Sequence, residues 1–195
     1  MKIGDFNIET DDLVYIPSDD TFLLAENLEI EPTDTVLEIG TGTGIVALYA
    51  YKLSKNITVS DINYNALELA EKNFKNNNAN IELVFGNLFE PFKDRKFDVI
   101  LFNTPYLPTS EDEILNDELN YAFDGGEDGR TVIDSFINEV KNYLNKNGKV
   151  QLIQSSLSDN NKTLDKLEKN GFICEISKSE KFFFEEIVLI NAYLI

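Results

Sequence analysis

The chain has 195 residues, 43% of them hydrophobic, which suits one α/β domain with a core of its own and excludes a disordered chain. Its 35 acidic residues against 17 basic ones give a net charge of −18, a surface that repels nucleic-acid phosphate and favours a protein or small-molecule substrate, a local basic groove aside. The single cysteine, Cys174, rules out an intrachain disulfide and fits a reducing compartment, and the lack of histidine leaves no Cys/His zinc site and no histidine base, so no metal set is expected.

The first residues, Met1-Lys2-Ile3-Gly4-Asp5, do not read as a signal peptide, and no apolar run reaches the roughly 18 residues that span a membrane. Loose alternation over residues 2–16 predicts a short β-hairpin. Pro17-Ser18-Asp19-Asp20-Thr21 then opens a helix whose apolar face is Phe22, Leu23, Leu24 and Leu28. By itself the Asp19-Asp20-Thr21 run reads as capping, since Ser and Asp oxygens accept from orphan helix amides. A buried strand follows over Thr35–Ile39, then a glycine turn, then a helix over residues 43–53.

A short β-branched strand over residues 57–60 ends on Asp61, and a helix over 64–75 stops at Asn76-Asn77-Asn78. Residues 81–85 form the third strand of the series, followed by Gly86-Asn87-Leu88. Residues 97–102 read as a central parallel strand, continuous and apolar. It runs into Asn103-Thr104-Pro105-Tyr106 and an acidic, aperiodic segment over 107–130, with a short helix expected around 114–121. A segment of that kind at the carboxyl end of a central strand is commonly a substrate loop.

Val132, Ile133, Phe136, Ile137, Val140 and Leu144 make an amphipathic stripe, and Asn147-Gly148 is expected to end that helix as a left-handed cap. A strand over 149–154, a helix over 158–169 and an antiparallel pair over 172–177 and 186–192 complete the chain. One domain over residues 1–195 is expected, with residues 1–30 as an extension of it.

Two stretches carry chemistry. The run Glu38-Ile39-Gly40-Thr41-Gly42-Thr43-Gly44 couples a strand to a helix through a turn that lets a ligand approach the backbone. A dinucleotide turn would carry a third glycine where Ile45 stands. The pattern instead resembles motif I of the class I S-adenosylmethionine (SAM) methyltransferases. Asp61, at the tip of the next strand, is placed to accept both hydroxyl protons of a ribose, or to cap or turn the chain before the next helix, a task that Asn63 could take instead. Asn87, just past the third strand, can accept from an exocyclic amine, or can be an ordinary turn residue after Gly86.

The second stretch is Asn103-Thr104-Pro105-Tyr106. An amide or aniline-like nitrogen is a poor nucleophile because its lone pair is delocalised. Asn103 can pair with such a group through both its donor and its acceptor, and the Thr104 carbonyl can take the second N–H. Pro105 holds Thr104 extended so that this carbonyl points outward, and Tyr106 offers a flat wall. The proton leaves after transfer, so no prior base is required.

With Tyr15-Ile16-Pro17-Ser18-Asp19-Asp20-Thr21-Phe22-Leu23-Leu24 and Gly125-Gly126-Glu127-Asp128-Gly129-Arg130, these stretches identify a resemblance covering nearly the whole chain. The chain resembles the HemK-type glutamine methyltransferases, in the short archaeal and eukaryotic branch that modifies peptide-chain release factors. The resemblance implies a Rossmann-like class I methyltransferase fold, a seven-stranded mostly parallel sheet in the order 3-2-1-4-5-7-6 with helices on both faces.

It implies SAM as cofactor, lined by Thr21, Glu38, Gly40, Gly42, Asp61, Asn87, Leu88 and Asn103. It implies catalysis at Asn103, Thr104, Pro105 and Tyr106 on the glutamine of a Gly-Gly-Gln loop. A cytoplasmic enzyme and a small zinc-containing activator protein are also implied, and the edge strand at 81–85 is the expected place for that partner to add a strand. The same tetrad could present an adenine or guanine amino group in RNA or DNA, against which the acidic balance counts. Two positions depart from the family: Thr104 replaces a proline, at some expected loss of turn rigidity, and Asn87 replaces an aspartate, a stronger acceptor.

Overall fold

The computed structural model describes residues 1–109, 119 and 122–195. Two short strands, β1 (Lys2–Ile3) and β2 (Phe6–Asn7), form a hairpin ahead of helix α1 (Asp19–Ala25). Strand and helix then alternate: β3 (Thr35–Ile39), α2 (Ile45–Leu53), β4 (Asn56–Asp61), α3 (Tyr64–Asn76), β5 (Glu82–Phe85), β6 (Phe97–Asn103), α4 (Thr131–Glu139), β7 (Leu144–Ser155) and α5 (Asn160–Lys169). The chain closes with β8 (Phe172–Lys181) and β9 (Glu186–Leu194).

Seven strands make one sheet in the order β5-β4-β3-β6-β7-β9-β8. The first five are parallel, and β9 runs antiparallel between β7 and β8. Counting from β3 as the first strand of the sheet, this is the expected order. The sheet is covered on both faces, which is why its central strands carry apolar side chains on both of them. In β3, Val36 packs with Val59, Val99, Ala47, Leu48 and Phe74, while its neighbour Leu37 packs on the other face with Ile100, Ile133, Phe136 and Leu152. Each such side chain, fully withdrawn from water, contributes roughly 1.5–3 kcal/mol.

Three expectations need correction or qualification. The hairpin predicted over residues 2–16 reaches only to Asn7. Beyond it the backbone finds its partners on α3. Asn77 accepts from the Asn7 amide and donates to the Asn7 carbonyl, both at 2.9 Å, and Asn73 does the same for Glu9 at 2.7 and 3.1 Å. Two carboxamides thus stand in for the missing strand.

The helix carrying the 132–144 stripe does not run to Asn147-Gly148. α4 ends at Glu139, a 3₁₀ turn covers Val140–Tyr143, and β7 starts at Leu144. Asn147, at φ 62°, lies inside β7 where its register on β6 slips between Phe97 and Val99, so the left-handed residue serves a β-bulge rather than a helix cap. The short helix expected around 114–121 falls, apart from Leu119, outside the described residues.

Candidate active site

The turn after β3 is built as its glycines demand. The amides of Gly40 and Thr41 donate to the Ser60 carbonyl at 2.8 and 3.1 Å, tying the turn to the tip of β4. Gly44 takes φ 80°, and a Cβ there would lie 2.6 Å from the Phe74 ring, so it lets α3 pack against the start of α2. Gly42 takes φ 53° with open space where its Cβ would be, facing the cavity described below.

Two carboxylates sit under this turn. Glu38 is buried and accepts from the Thr41 hydroxyl at 3.0 Å. Burial pushes its carboxyl up to about 8, the nearby Asp61 charge adds to the push, and the Thr41 hydroxyl works against it. Asp61 accepts from the amides of Gly42 and Asn63, each at 2.9 Å, and burial raises its carboxyl despite these bonds. Asn63, not Asp61, caps α3, its side chain accepting from the Asn65 amide. Asn87 and Leu88 follow β5 on the same side, and Leu88 adopts φ 45°.

The end of β6 brings Asn103, Thr104, Pro105 and Tyr106 to the other side of that space. Here the structure shows a residue that sequence reasoning passed over. Asp20, in the first turn of α1 and buried, collects four neighbours. Its Oδ1 accepts from the Tyr15 hydroxyl at 3.0 Å and the Thr21 amide at 2.6 Å, and its Oδ2 from Asn103 Nδ2 at 3.0 Å and the Tyr106 hydroxyl at 3.3 Å. Burial and the Asp20 charge push the Tyr106 hydroxyl upward, so it stays a donor. With Nδ2 held by Asp20, the Asn103 amide has a fixed orientation. Its Oδ1 is buried and accepts no hydrogen bond from the described residues.

Thr104 is anchored rather than loosened. Its hydroxyl donates to the Ile153 carbonyl on β7 at 2.8 Å, a tie that proline could not make and that offsets the expected loss of rigidity.

Gly125-Gly126-Glu127-Asp128-Gly129-Arg130 holds the far end of the loop against this turn. The Gly125 amide donates to the Leu107 carbonyl at 3.0 Å, and Gly129 approaches the Tyr106 carbonyl so closely that a Cβ would lie 2.4 Å from it. The Arg130 guanidinium is buried, donating to the carbonyls of Ser158 and Asp159, to the Thr163 hydroxyl and to Asp134. This motif therefore pins the tetrad to α5 and supplies no group to the cavity of its own.

All eleven site residues expected from the sequence (Thr21, Glu38, Gly40, Gly42, Asp61, Asn87, Leu88, Asn103, Thr104, Pro105 and Tyr106) line one cavity of about 460 Å³. Six carboxylates line it as well, Asp19, Asp20, Glu38, Asp61, Asp124 and Glu185, and among the described residues no lysine or arginine does. Among the described residues there is also no cluster of three or more His, Cys, Asp or Glu side chains arranged for a metal.

A parallel sheet with one antiparallel insertion, a glycine turn after its first strand and a ligand-sized cavity at the strands' carboxyl ends define the class I methyltransferase fold. The chain belongs to the methyltransferase small domain family, whose model matches residues 18–183. It is 51% identical to a Methanocaldococcus jannaschii protein assigned as a protein N5-glutamine methyltransferase, over 92% of this chain and 91% of that one. It is 30% identical to the human methyltransferase HEMK2 over 76% of this chain and 73% of that one.

A release factor glutamine methyltransferase of Geobacter sulfurreducens is 32% identical over 82% of this chain, which spans only 59% of that enzyme's length. Among solved structures, the E. cuniculi Mtq2–Trm112 complex, described as responsible for methylation of the termination factor eRF1, superposes with a TM-score of 0.73 at 27% identity, over 93% of this chain and 99% of that one.

Proposed function

We propose that this chain transfers a methyl group from SAM to the side-chain amide nitrogen of the glutamine in the Gly-Gly-Gln loop of a peptide-chain release factor. The observation that carries the reading is the Asn103 carboxamide. Its Nδ2 is locked by Asp20, its Oδ1 is a buried acceptor with no hydrogen-bond partner among the described residues, and the residue lines the cavity.

The cavity suits SAM on its own chemistry. A sulfonium bearing an ammonium group is a cation, and the wall that would meet it holds carboxylates and no base. Glu38 and the Gly40–Gly42 backbone would hold the amino-acid end, Asp61 the ribose hydroxyls, and Asn87 and Leu88 the adenine, with Thr21 closing the pocket from α1. When bound, SAM supplies an electrophilic methyl group.

The protein's own residues do the rest. Asn103 Oδ1 accepts one N–H of the substrate amide and the Thr104 carbonyl accepts the other, which holds the NH₂ plane and pushes electron density toward nitrogen as the new bond forms. Asn103 keeps one N–H free of Asp20 for the substrate carbonyl. Pro105 keeps the Thr104 carbonyl pointing outward, and the Tyr106 ring flanks the planar amide. No side chain needs to remove a proton beforehand; the proton passes to water after transfer.

The name and title of two relatives, the glutamine methyltransferase of Geobacter sulfurreducens and the eRF1-modifying Mtq2 complex, support the substrate assignment. An exocyclic amine of RNA or DNA is the weaker alternative, since a phosphate backbone would meet an acid-lined mouth.

The Mtq2–Trm112 pairing supports a small activator, expected to contain zinc, for this chain too, working in the cytoplasm beside the translation machinery. β5 is its expected seat: among the described residues it is an edge strand paired only with β4, short, with Phe85 exposed. The opposite edge, β8, carries Lys178, Glu180 and Lys181 and a register shift, features that discourage strand addition.

The test is transfer of label from SAM to a class I release factor, to its Gly-Gly-Gln variant with Gln→Asn, and to RNA and DNA. Label confined to the unaltered factor supports the reading. Label on nucleic acid, or equal label on the Gln→Asn factor, overturns it.

A further inference from the structure

The turn between β8 and β9 carries Phe182-Phe183-Phe184. Phe183 is 92% exposed and Phe184 86% exposed, and their rings meet edge to face at 4.7 Å. Three consecutive aromatic side chains in water are a cost that a soluble surface seldom carries without a partner. The turn is also built to hold its shape. The Phe182 amide donates to the Glu185 carbonyl at 2.8 Å, and Ser155 at the end of β7 donates to the Glu185 carboxylate at 2.6 Å.

The position of this turn says what it meets. Phe182 and Glu185 line the mouth of the active-site cavity, and Glu185 is near enough to Tyr106 to act on its hydroxyl. The aromatic tip is thus continuous with the tetrad that faces the substrate. The surroundings are acidic: Asp19, Asp124 and Glu185 line the same cavity, and the chain carries a net charge of −18. That charge opposes a second copy of the chain and opposes an anionic lipid surface. It favours a polypeptide whose own surface is basic around an apolar patch.

We propose that Phe182-Phe183-Phe184 is a docking surface for the body of a protein substrate, gripping an apolar patch flanked by lysine or arginine next to the loop that enters the cavity. The inference rests on the protein-substrate reading above and adds a second contact, outside the cavity, that recognises the folded substrate rather than its target residue. Exposed aromatic anchors at an acid-rimmed mouth are the side chains that concentrate binding energy at interfaces.

The experiment compares the full chain with its Phe183→Ala/Phe184→Ala variant, in the presence of the small activator partner. Two substrates are used, an intact class I release factor and a short Gly-Gly-Gln peptide cut from it. Both side chains lie outside the core, so the variant should melt with the parent. The expected result is a rise in KM for the intact factor of about tenfold or more, with kcat, peptide kinetics and SAM affinity within about twofold.

Unchanged kinetics on the intact factor overturn the docking surface while leaving the activity reading intact. So does an equal loss on factor and peptide, which would make the tip part of the cavity itself. So does a light-scattering result in which the substitution abolishes a dimer and leaves KM for the factor unchanged. No transfer by the parent chain to any release factor overturns the activity reading and this inference together.

Discussion

Asn103 Nδ2 donates to Asp20 Oδ2 across 3.0 Å, joining residues 83 positions apart in the chain. One contact sets which way the Asn103 carboxamide faces. It fixes Nδ2 as the bound end and leaves Oδ1 without a hydrogen-bond partner among the described residues. Asp20 also holds Tyr106, so one carboxylate on α1 orients two of the four residues of the tetrad. Asp20→Ala should therefore lower kcat by about 10- to 100-fold, through lost orientation, with SAM affinity within about twofold. Asn103→Ala should abolish transfer and keep SAM binding. Calorimetric titration with SAM beside a single-turnover assay separates the two effects; loss of binding in both variants would mean the pair supports the fold instead.

Glu38 gives a pH signature. Its carboxyl sits well above the unfolded value of 4.5, at about 8, so the native state keeps a proton that the unfolded state has already lost. Stability is then greatest below the unfolded value and declines as pH rises toward about 8. Between pH 6 and 8 the ligand-free chain should lose on the order of 1–2 kcal/mol, read as a falling Tm. SAM binding runs the other way, because its positive charge favours the ionised carboxylate, and affinity should rise across the same interval. Glu38→Gln should flatten both profiles.

Thr104 is tied to Ile153 by its hydroxyl, while its own amide lies 3.4 Å from the same carbonyl, a long contact. Thr104→Val removes the good bond and should cost about 1 kcal/mol, or about 2–4 °C in Tm. Thr104→Pro loses both contacts but regains a fixed φ that partly offsets them, so transfer should stay within about threefold of the parent. A large loss in the proline variant would show that the hydroxyl matters beyond anchoring.

Arg130 is buried, and its two terminal nitrogens donate to Ser158, Asp159, Thr163 and Asp134. Removing it strands the acceptors it serves. Arg130→Ala should cost about 3–5 kcal/mol in denaturant unfolding. Arg130→Lys should recover only part, since one ammonium cannot reproduce the fork.

The β5 edge gives a test at the surface. Leu83→Lys should leave the chain folded, because Leu83 is only half-buried, yet weaken any complex with the small partner in pull-down. An undiminished complex would remove β5 as the seat.

Much of this architecture was legible from residue order alone because it is written locally. β3 was placed over Thr35–Ile39 from its β-branched run, and the glycine turn beyond it from Gly40, Gly42 and Gly44. Asp61 was separable from capping because Asn63 stood ready for that task, and Asn63 does cap α3. Other features could not be read this way. Asp20 lay inside a run whose local chemistry is capping, and two of its partners, Asn103 and Tyr106, come from the end of β6 and the turn after it. Asn147-Gly148 has the composition of a helix stop, yet the bulge it makes depends on Asp98 and the register of β6 on β7. Asn77, in the run that looked like a turn signal, pairs with the Asn7 backbone 70 residues away, and Asn73, a turn earlier in α3, pairs with the Glu9 backbone 64 residues away. Non-local pairing hides where local meaning is already sufficient.

The acid wall of the cavity bears on how a catalytic cycle ends. Under the proposed reaction the donor arrives positively charged at sulfur and departs as an uncharged thioether. The attraction that the acidic lining exerts on that charge vanishes at the instant of transfer, while hydrogen bonds to the ribose and adenine would persist. Discharge of the ligand thereby becomes its own release signal, and exchange for fresh donor is favoured without any moving part.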